Sequence, residues 1–221
     1  MEYITPSYEI LYMQDGQEIL KLIERAARTC YKSERKINDK SSITLVRQLI
    51  KSNHFAMIEF GQDIVVKFIS NRGFTHEMVR HRLCSFAQES TRYCNYGKGK
   101  FGEQITVTDC SGIVVNKLNV FNTLTIGLNE AYEKCEDIYL WMIRHGVPAQ
   151  MARECLPIGL KAEICVKANP REWMHIFNLR CSKSSHPRMR EVMVPLLKEF
   201  NNRIPVLYED LANKYCCLSN G

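Results

Sequence analysis

Apolar and polar positions alternate weakly from Ser7 to Met13 and stop at Asp15-Gly16, a turn-forming pair, so a short strand is expected there. The period then changes. Ile19, Leu20, Leu22, Ile23, Ala26 and Ala27 form the stripe of an amphipathic helix over 17–29. Leu45, Val46, Leu49 and Ile50 form a second stripe, which Ser41 or Ser42 is placed to cap. Residues 61–69 are rich in β-branched side chains and predict a strand, and 71–79 predict a short helix leading into a polar loop. The longest helix is expected from Asn119 to His145, carrying Leu124, Leu128, Ala131, Cys135, Ile138 and Met142 near helical spacing and stopped by Gly146 and Pro148. A short helix over 149–154 and a strand over 160–166 follow. Asn169 as N-cap and Pro170 at the first helical position open a helix through Arg180, and His186-Pro187 starts a last helical segment interrupted near Pro205. No repeat, low-complexity stretch or linker divides the chain. The expected fold class is α+β, a single domain over 1–221 with a mixed or antiparallel sheet and several helices.

Composition narrows the partners. The 221 residues suffice for one domain with a substantial core, and 45% hydrophobic with 24% charged residues is ordinary for a soluble globular chain. No apolar run approaches the ~20 residues of a membrane span. Met1 to Pro6 shows no basic region followed by an apolar one, so no signal peptide, no membrane partner and a cytoplasmic location are expected. The net charge of +6 suits an anionic partner without choosing among mononucleotide, cofactor and nucleic acid. Ten cysteines without a Cys-x-x-Cys pair read as small buried hydrophobes rather than disulfides or zinc ligands. His76, Glu77 and His81 lack the His-Glu-x-x-His frame, so no metal is expected.

The chemistry concentrates between Arg80 and Tyr93, Arg-His-Arg-Leu-Cys-Ser-Phe-Ala-Gln-Glu-Ser-Thr-Arg-Tyr. Guanidinium forks match phosphate and carboxylate through paired bonds, and hydroxyls in a turn add further donors. The residues alone therefore predict a phosphate or nucleotide pocket, against the blander reading of a solvated basic turn. Gly97-Lys98-Gly99-Lys100-Phe101-Gly102 fits the spacing of a dinucleotide fingerprint, but the β-type run Gln104 to Thr108 follows it where that fingerprint needs a helix N-terminus. It is expected to be a hairpin or loop. On the helix after Asn169, Arg171 and His175 share a face, whereas Arg180 lies about half a turn round. Two arginines facing different ways fit a helix lying between pockets of an oligomer.

Arg80-His81-Arg82, Ser85, Ser90 and Arg92, with Tyr93 after them, resemble the signature Arg-His-Arg-x-x-Ser-x-x-x-x-Ser-x-Arg of the flavin-dependent thymidylate synthases. Asn169-Pro170-Arg171, His175 and Leu179-Arg180 resemble the family's C-terminal segment, and His54 with Glu59 an upstream one, so the resemblance spans roughly 17 to 190. It implies reductive methylation of dUMP to dTMP, with methylenetetrahydrofolate as carbon donor and NADPH acting through bound FAD. It also implies a homotetramer with sites at subunit interfaces. Carried over residue by residue, Glu77, Arg80, Gln88, Ser90, Thr91, Arg92, Arg153 and Arg180 are expected at dUMP, with Arg180 the catalytic group. His54, Ala56, Glu59, Arg80, His81, Arg82, Gln88, Asn169, Arg171 and His175 are expected at FAD. Glu77 replaces a glutamine found in many members, and Ala56 offers no hydroxyl where some have threonine. Cys84 falls on an unspecified position and reads as packing, and Ser90 as a binding group, lacking a partnered base. Two rival readings stand beside this one. A nucleic-acid-binding protein would use Phe86, Tyr93, Tyr96 and Phe101 near Lys98 and Lys100, and another flavoprotein oxidoreductase would use the same loop on a different substrate.

Overall fold

Two long strands carry strict alternation, Ile64–Asn71 and Lys161–Ala168, with every second side chain buried. A computed structural model describes residues 1–109 and 121–216. The N-terminal half comprises β1 (Glu2–Ile4), β2 (Ser7–Tyr12), α1 (Gly16–Tyr31), α2 (Ser41–Lys51), β3 (Ile64–Asn71), α3 (Arg72–Met78) and β4 (Ser85–Gln88). The C-terminal half comprises β5 (Thr106–Thr108), α4 (Phe121–Arg144), α5 (Ala149–Ala152), β6 (Lys161–Ala168), α6 (Pro170–Arg180), α7 (Pro187–Arg203) and α8 (Pro205–Cys216). One sheet has the order β2-β3-β6-β4, and β1 pairs in parallel with β5, Tyr3 opposite Val107. The class is α+β. No described helix is long and apolar enough to cross a membrane.

The chain divides into two compact units, and the division cuts β2, β3, β4 and β6. The first comprises 1–7, 68–80 and 87–164. Its core gathers Ile105 and Val107 with Tyr132, Tyr139, Leu140 and Ile143 of α4 and with Leu160. Tyr139 Oη accepts the Tyr96 N–H at 3.3 Å, so a buried phenol also terminates a loop. Gly159 is required here because a Cβ would lie 2.1 Å from Tyr132 Oη.

The second unit comprises 8–67, 81–86 and 165–221. Trp173 and Phe177 of α6 meet Phe200 of α7 and Tyr208 of α8, with Phe177 edge-on to Phe200 at 5.0 Å and to Tyr208 at 5.8 Å. Each such pair is worth about 1 kcal/mol beyond its area burial. The polar tips are satisfied, since Trp173 Nε1–H donates to the Ile64 carbonyl and Tyr208 Oη–H to the Pro170 carbonyl, both at 3.3 Å. Asn169 caps α6 as its sequence predicts, Oδ1 accepting the Glu172 N–H at 2.9 Å.

Several expectations shift. Neither Ser41 nor Ser42 caps α2: the N-cap position is Lys40, without a side-chain bond, and Ser41 Oγ instead accepts the Asn38 N–H. The polar loop expected after α3 is in part strand, because Ser85–Gln88 finds a place on the sheet edge and pairing overrides its polar composition. The Gly97–Gly102 run holds a single 3₁₀ turn, Gly99–Phe101, with β5 after it. Asn119, the expected start of the longest helix, lies outside the described residues, as does Cys217. The eight described cysteines are free thiols, but only Cys181 is buried and Cys30 is exposed, so most are half-buried rather than core residues.

Candidate functional site

In the first unit, Asn71 caps α3 by accepting the Phe74 N–H at 2.9 Å, which starts the helix at Arg72. Arg72 and His76 are then one turn apart on one face. They line a cavity of about 310 Å³ with Thr91, which follows β4, and Arg153, at the end of α5. Leu156, Pro157, Ile158 and Leu160 make its apolar walls, and Glu154 also lines it. Two guanidiniums, an imidazole and a hydroxyl over an apolar wall suit a phosphomonoester attached to a small ring. Of the residues expected at the nucleotide, Thr91 and Arg153 line this cavity. Arg72 and His76 were missed, although donor side chains one helical turn apart are a signal that sequence carries.

Of the rest of that set, Arg180 belongs to the second unit and the others lie elsewhere in the first. Gln88 Nε2–H donates to Thr75 Oγ1 at 3.0 Å, and Thr75 Oγ1–H donates to the Arg72 carbonyl at 3.1 Å, which locks the Gln88 amide. Ser90 Oγ accepts the Arg92 N–H at 3.3 Å, closing a local turn. The exposed Arg92 guanidinium stands 5.5 Å from the Tyr93 ring centroid. Arg80, exposed at the end of α3, donates its N–H to the carbonyl of half-buried Glu77 at 3.3 Å. None of Glu77, Arg80, Ser90 and Arg92 is among the described residues lining the cavity.

The second unit holds most of the residues expected at the cofactor, Arg80 and Gln88 belonging to the first. A cavity of about 410 Å³ is lined by Tyr31, His54, Phe55, Ala56, Met57 and Arg171, among others. Arg171 pairs with Glu59 through Nη1 and Oε1, and Asn169, its Oδ1 taken by the cap, has its Nδ2 for a ligand. Arg82 is exposed, as is Leu83 beside it. Arg171 and Arg180 do face different partners, as helical spacing predicts: Arg171 turns to Glu59 and Arg180 to His81.

His81 is the most enclosed residue of the signature. Arg180 Nε–H donates to its Nε2 at 2.9 Å, Nδ1 lies 3.5 Å from Glu172 Oε1, and the His175 ring stands edge-on at 5.7 Å. Burial first, then the charges of Arg180 and His175, lower its pKa from 6.5 to about 4. Burial raises that of Glu172, with His175 and Arg171 acting in the opposite direction. Cys84 is pushed up to about 12 by burial and by Glu172, which leaves its thiol protonated and removes it as a nucleophile.

His81, Glu172 and His175 bring ligand-type atoms within 4.8 Å of one another. A metal at His81 Nδ1 would require the proton on Nε2, against the Nε–H of Arg180, so the cluster reads as hydrogen-bonded rather than metal-binding.

Residues 10–206 match the family described as "Thymidylate synthase complementing protein". The chain is 26% identical over 212 residues to the flavin-dependent thymidylate synthase of Corynebacterium glutamicum, covering 93% of this chain and 85% of that one. It is 28% identical over 209 residues to that of Geobacter sulfurreducens, covering 91% and 86%. Its fold is similar to the crystal structure of the UMP/dUMP methylase PolB from Streptomyces cacaoi bound with 5-Br dUMP, with a TM-score of 0.78 at 21% identity over 95% of this chain and 96% of that one.

Proposed function

Because the chain belongs to the family described as thymidylate synthase complementing protein, matched over residues 10–206, we propose that it converts dUMP to dTMP by reductive methylation. Methylenetetrahydrofolate is the carbon donor and NADPH, through FAD, the reductant. The observation that carries this reading is the convergence of Arg72, His76, Thr91 and Arg153 on one cavity. A doubly charged phosphate needs fixed cations, which Arg72 of α3 and Arg153 at the end of α5 supply, while the segment after β4 adds the Thr91 hydroxyl. Arg92 and Ser90 add donors on the same signature.

The cavity of the second unit fits a flavin by its chemistry. Tyr31, Phe55 and Met57 offer flat and polarisable surface for an aromatic ring system, while Arg171 and His54 offer donors for carbonyls or pyrophosphate. Arg80 and Arg82, both exposed, supply further cations. Bound FAD would supply hydride chemistry, which side chains lack. The chain's own contribution is to bind, orient and stabilise charge. Arg180 donates to a uracil carbonyl and stabilises negative charge building on the ring, and Gln88 reads the pyrimidine from its locked position.

The exposed apolar side chains of the signature support assembly with sites at subunit interfaces, as a homotetramer. Leu83 is 77% exposed and Tyr93 79%, a poor use of apolar surface unless another subunit covers it. A cytoplasmic location suits a nucleotide-synthesising enzyme with free thiols. The test is a visible spectrum of the purified protein, followed by NADPH oxidation with and without dUMP in the presence of methylenetetrahydrofolate. Bound flavin and dUMP-dependent oxidation yielding dTMP are expected. Colourless protein that stays inactive after FAD is added would refute the reading, and turnover indifferent to dUMP would favour another flavoprotein reaction.

A further inference from the structure

We infer that Glu172, a residue outside every motif by which the chain resembles its family, is a positioning residue. Its buried carboxylate holds His81 in the Nδ1–H tautomer, so that Nε2 accepts the Nε–H of Arg180 and sets the direction of that guanidinium. This deepens the reading of Arg180 as the group that meets the uracil, and rests on it.

The tautomer follows from valence. Arginine is donor-only and charged at any working pH. With Arg180 Nε 2.9 Å from His81 Nε2, that nitrogen must offer its lone pair. The proton of the neutral imidazole is therefore on Nδ1, which faces Glu172 Oε1 at 3.5 Å. That distance is an electrostatic contact rather than a short hydrogen bond. It gains strength from its surroundings, since the His81 and Glu172 side chains are only 3% and 7% exposed. A carboxylate there favours the tautomer with its proton towards it. Without that charge, Nε2–H becomes accessible, and it would face the Arg180 donor head-on.

The groups facing His81 are Glu172, His175 and Arg180 from α6, with Arg171 acting on Glu172 from the same helix and Cys84 coupled to Glu172 from the signature segment. Two of the three that face the ring directly sit in the last two turns of α6, and Glu172 sits in its first. The helix thus carries both the arginine and the carboxylate that aims it. Glu172 also occupies the first turn of α6, where an acid stabilises the helix dipole. A purely structural role is therefore the competing account, and it predicts no change at the imidazole.

The experiment uses flavin-loaded protein with ¹⁵N-labelled histidine. In the wild type His81 should show an unprotonated Nε2 and a protonated Nδ1. In Glu172→Gln, which keeps the side-chain size, the two forms should mix or invert, and kcat should fall about tenfold, as loss of an orienting partner does, with flavin content unchanged. In a His81→Gln background, where Oε1 accepts from Arg180 with no tautomer to choose, Glu172→Gln should cause no further loss in kcat. A protonated Nε2 in the wild type, or an unchanged tautomer in Glu172→Gln, overturns the proposal. So does an additive loss in the double variant. If the tautomer responds while the protein lacks thymidylate synthase activity, the arrangement stands and the functional reading of Arg180 fails instead.

Discussion

Arg72 entered the site only through geometry, and its removal tests that geometry directly. Losing one charge-assisted bond to phosphate costs about 1.5–3 kcal/mol, so Arg72→Ala should raise KM for dUMP roughly 10- to 100-fold. Flavin content and the KM for NADPH should hold, as steady-state kinetics with each substrate varied would show. His81 makes a second prediction, about acid. Its folded pKa is about 4 against 6.5 unperturbed, so the unfolded chain takes up the proton first as pH falls. Its contribution is complete above about pH 6.5 and is lost on descending towards pH 4, on the order of 3 kcal/mol in all. Glu172, raised rather than lowered, has the opposite sign at the acid end. The His81 share is therefore the difference in urea midpoint between wild type and His81→Gln across that window, and identical pH slopes would contradict it. Legibility at this scale was uneven. The signature residues could be named from spacing, because spacing is what a family preserves. The enclosure of His81 by Arg180 and Glu172 could not, since it depends on two segments far apart in sequence.

Elements were more legible where local chemistry decides them. Asn169-Pro170 announced the start of α6, because a capping oxygen needs only the next turn. β4 and β1 were not legible: the first is polar and the second three residues long, and each exists because a neighbouring strand accepts it. The start of α6 also depends on a glycine outside it. A Cβ on Gly61 would lie 2.6 Å from Pro170 Cγ and 3.2 Å from Ile19 Cγ2. Gly61→Ala should therefore push the first turn of α6 off its seat and cost about 1–3 kcal/mol, read as a lowered urea midpoint. Activity should fall more than stability alone explains, because Arg171 and Glu172 ride on that turn.

For the whole molecule, the sequence conveyed the α+β class but neither the strand order nor the division into two units, which are products of long-range pairing. Nor could it convey that Thr91 and Arg153 would share a cavity with residues of α3. Subunit number stays with the proposal, and sedimentation of the flavin-loaded enzyme should show a tetramer, a fully active monomer being the contrary result. The exposed leucine of the signature adds something more. Leu83 stands directly after Arg82 and before Cys84, so any neighbour that covers it also closes over a residue proposed to hold the flavin. Mass action then ties two losses together: on dilution the colour should leave the protein as the particles shrink, and excess FAD should delay both to the same extent.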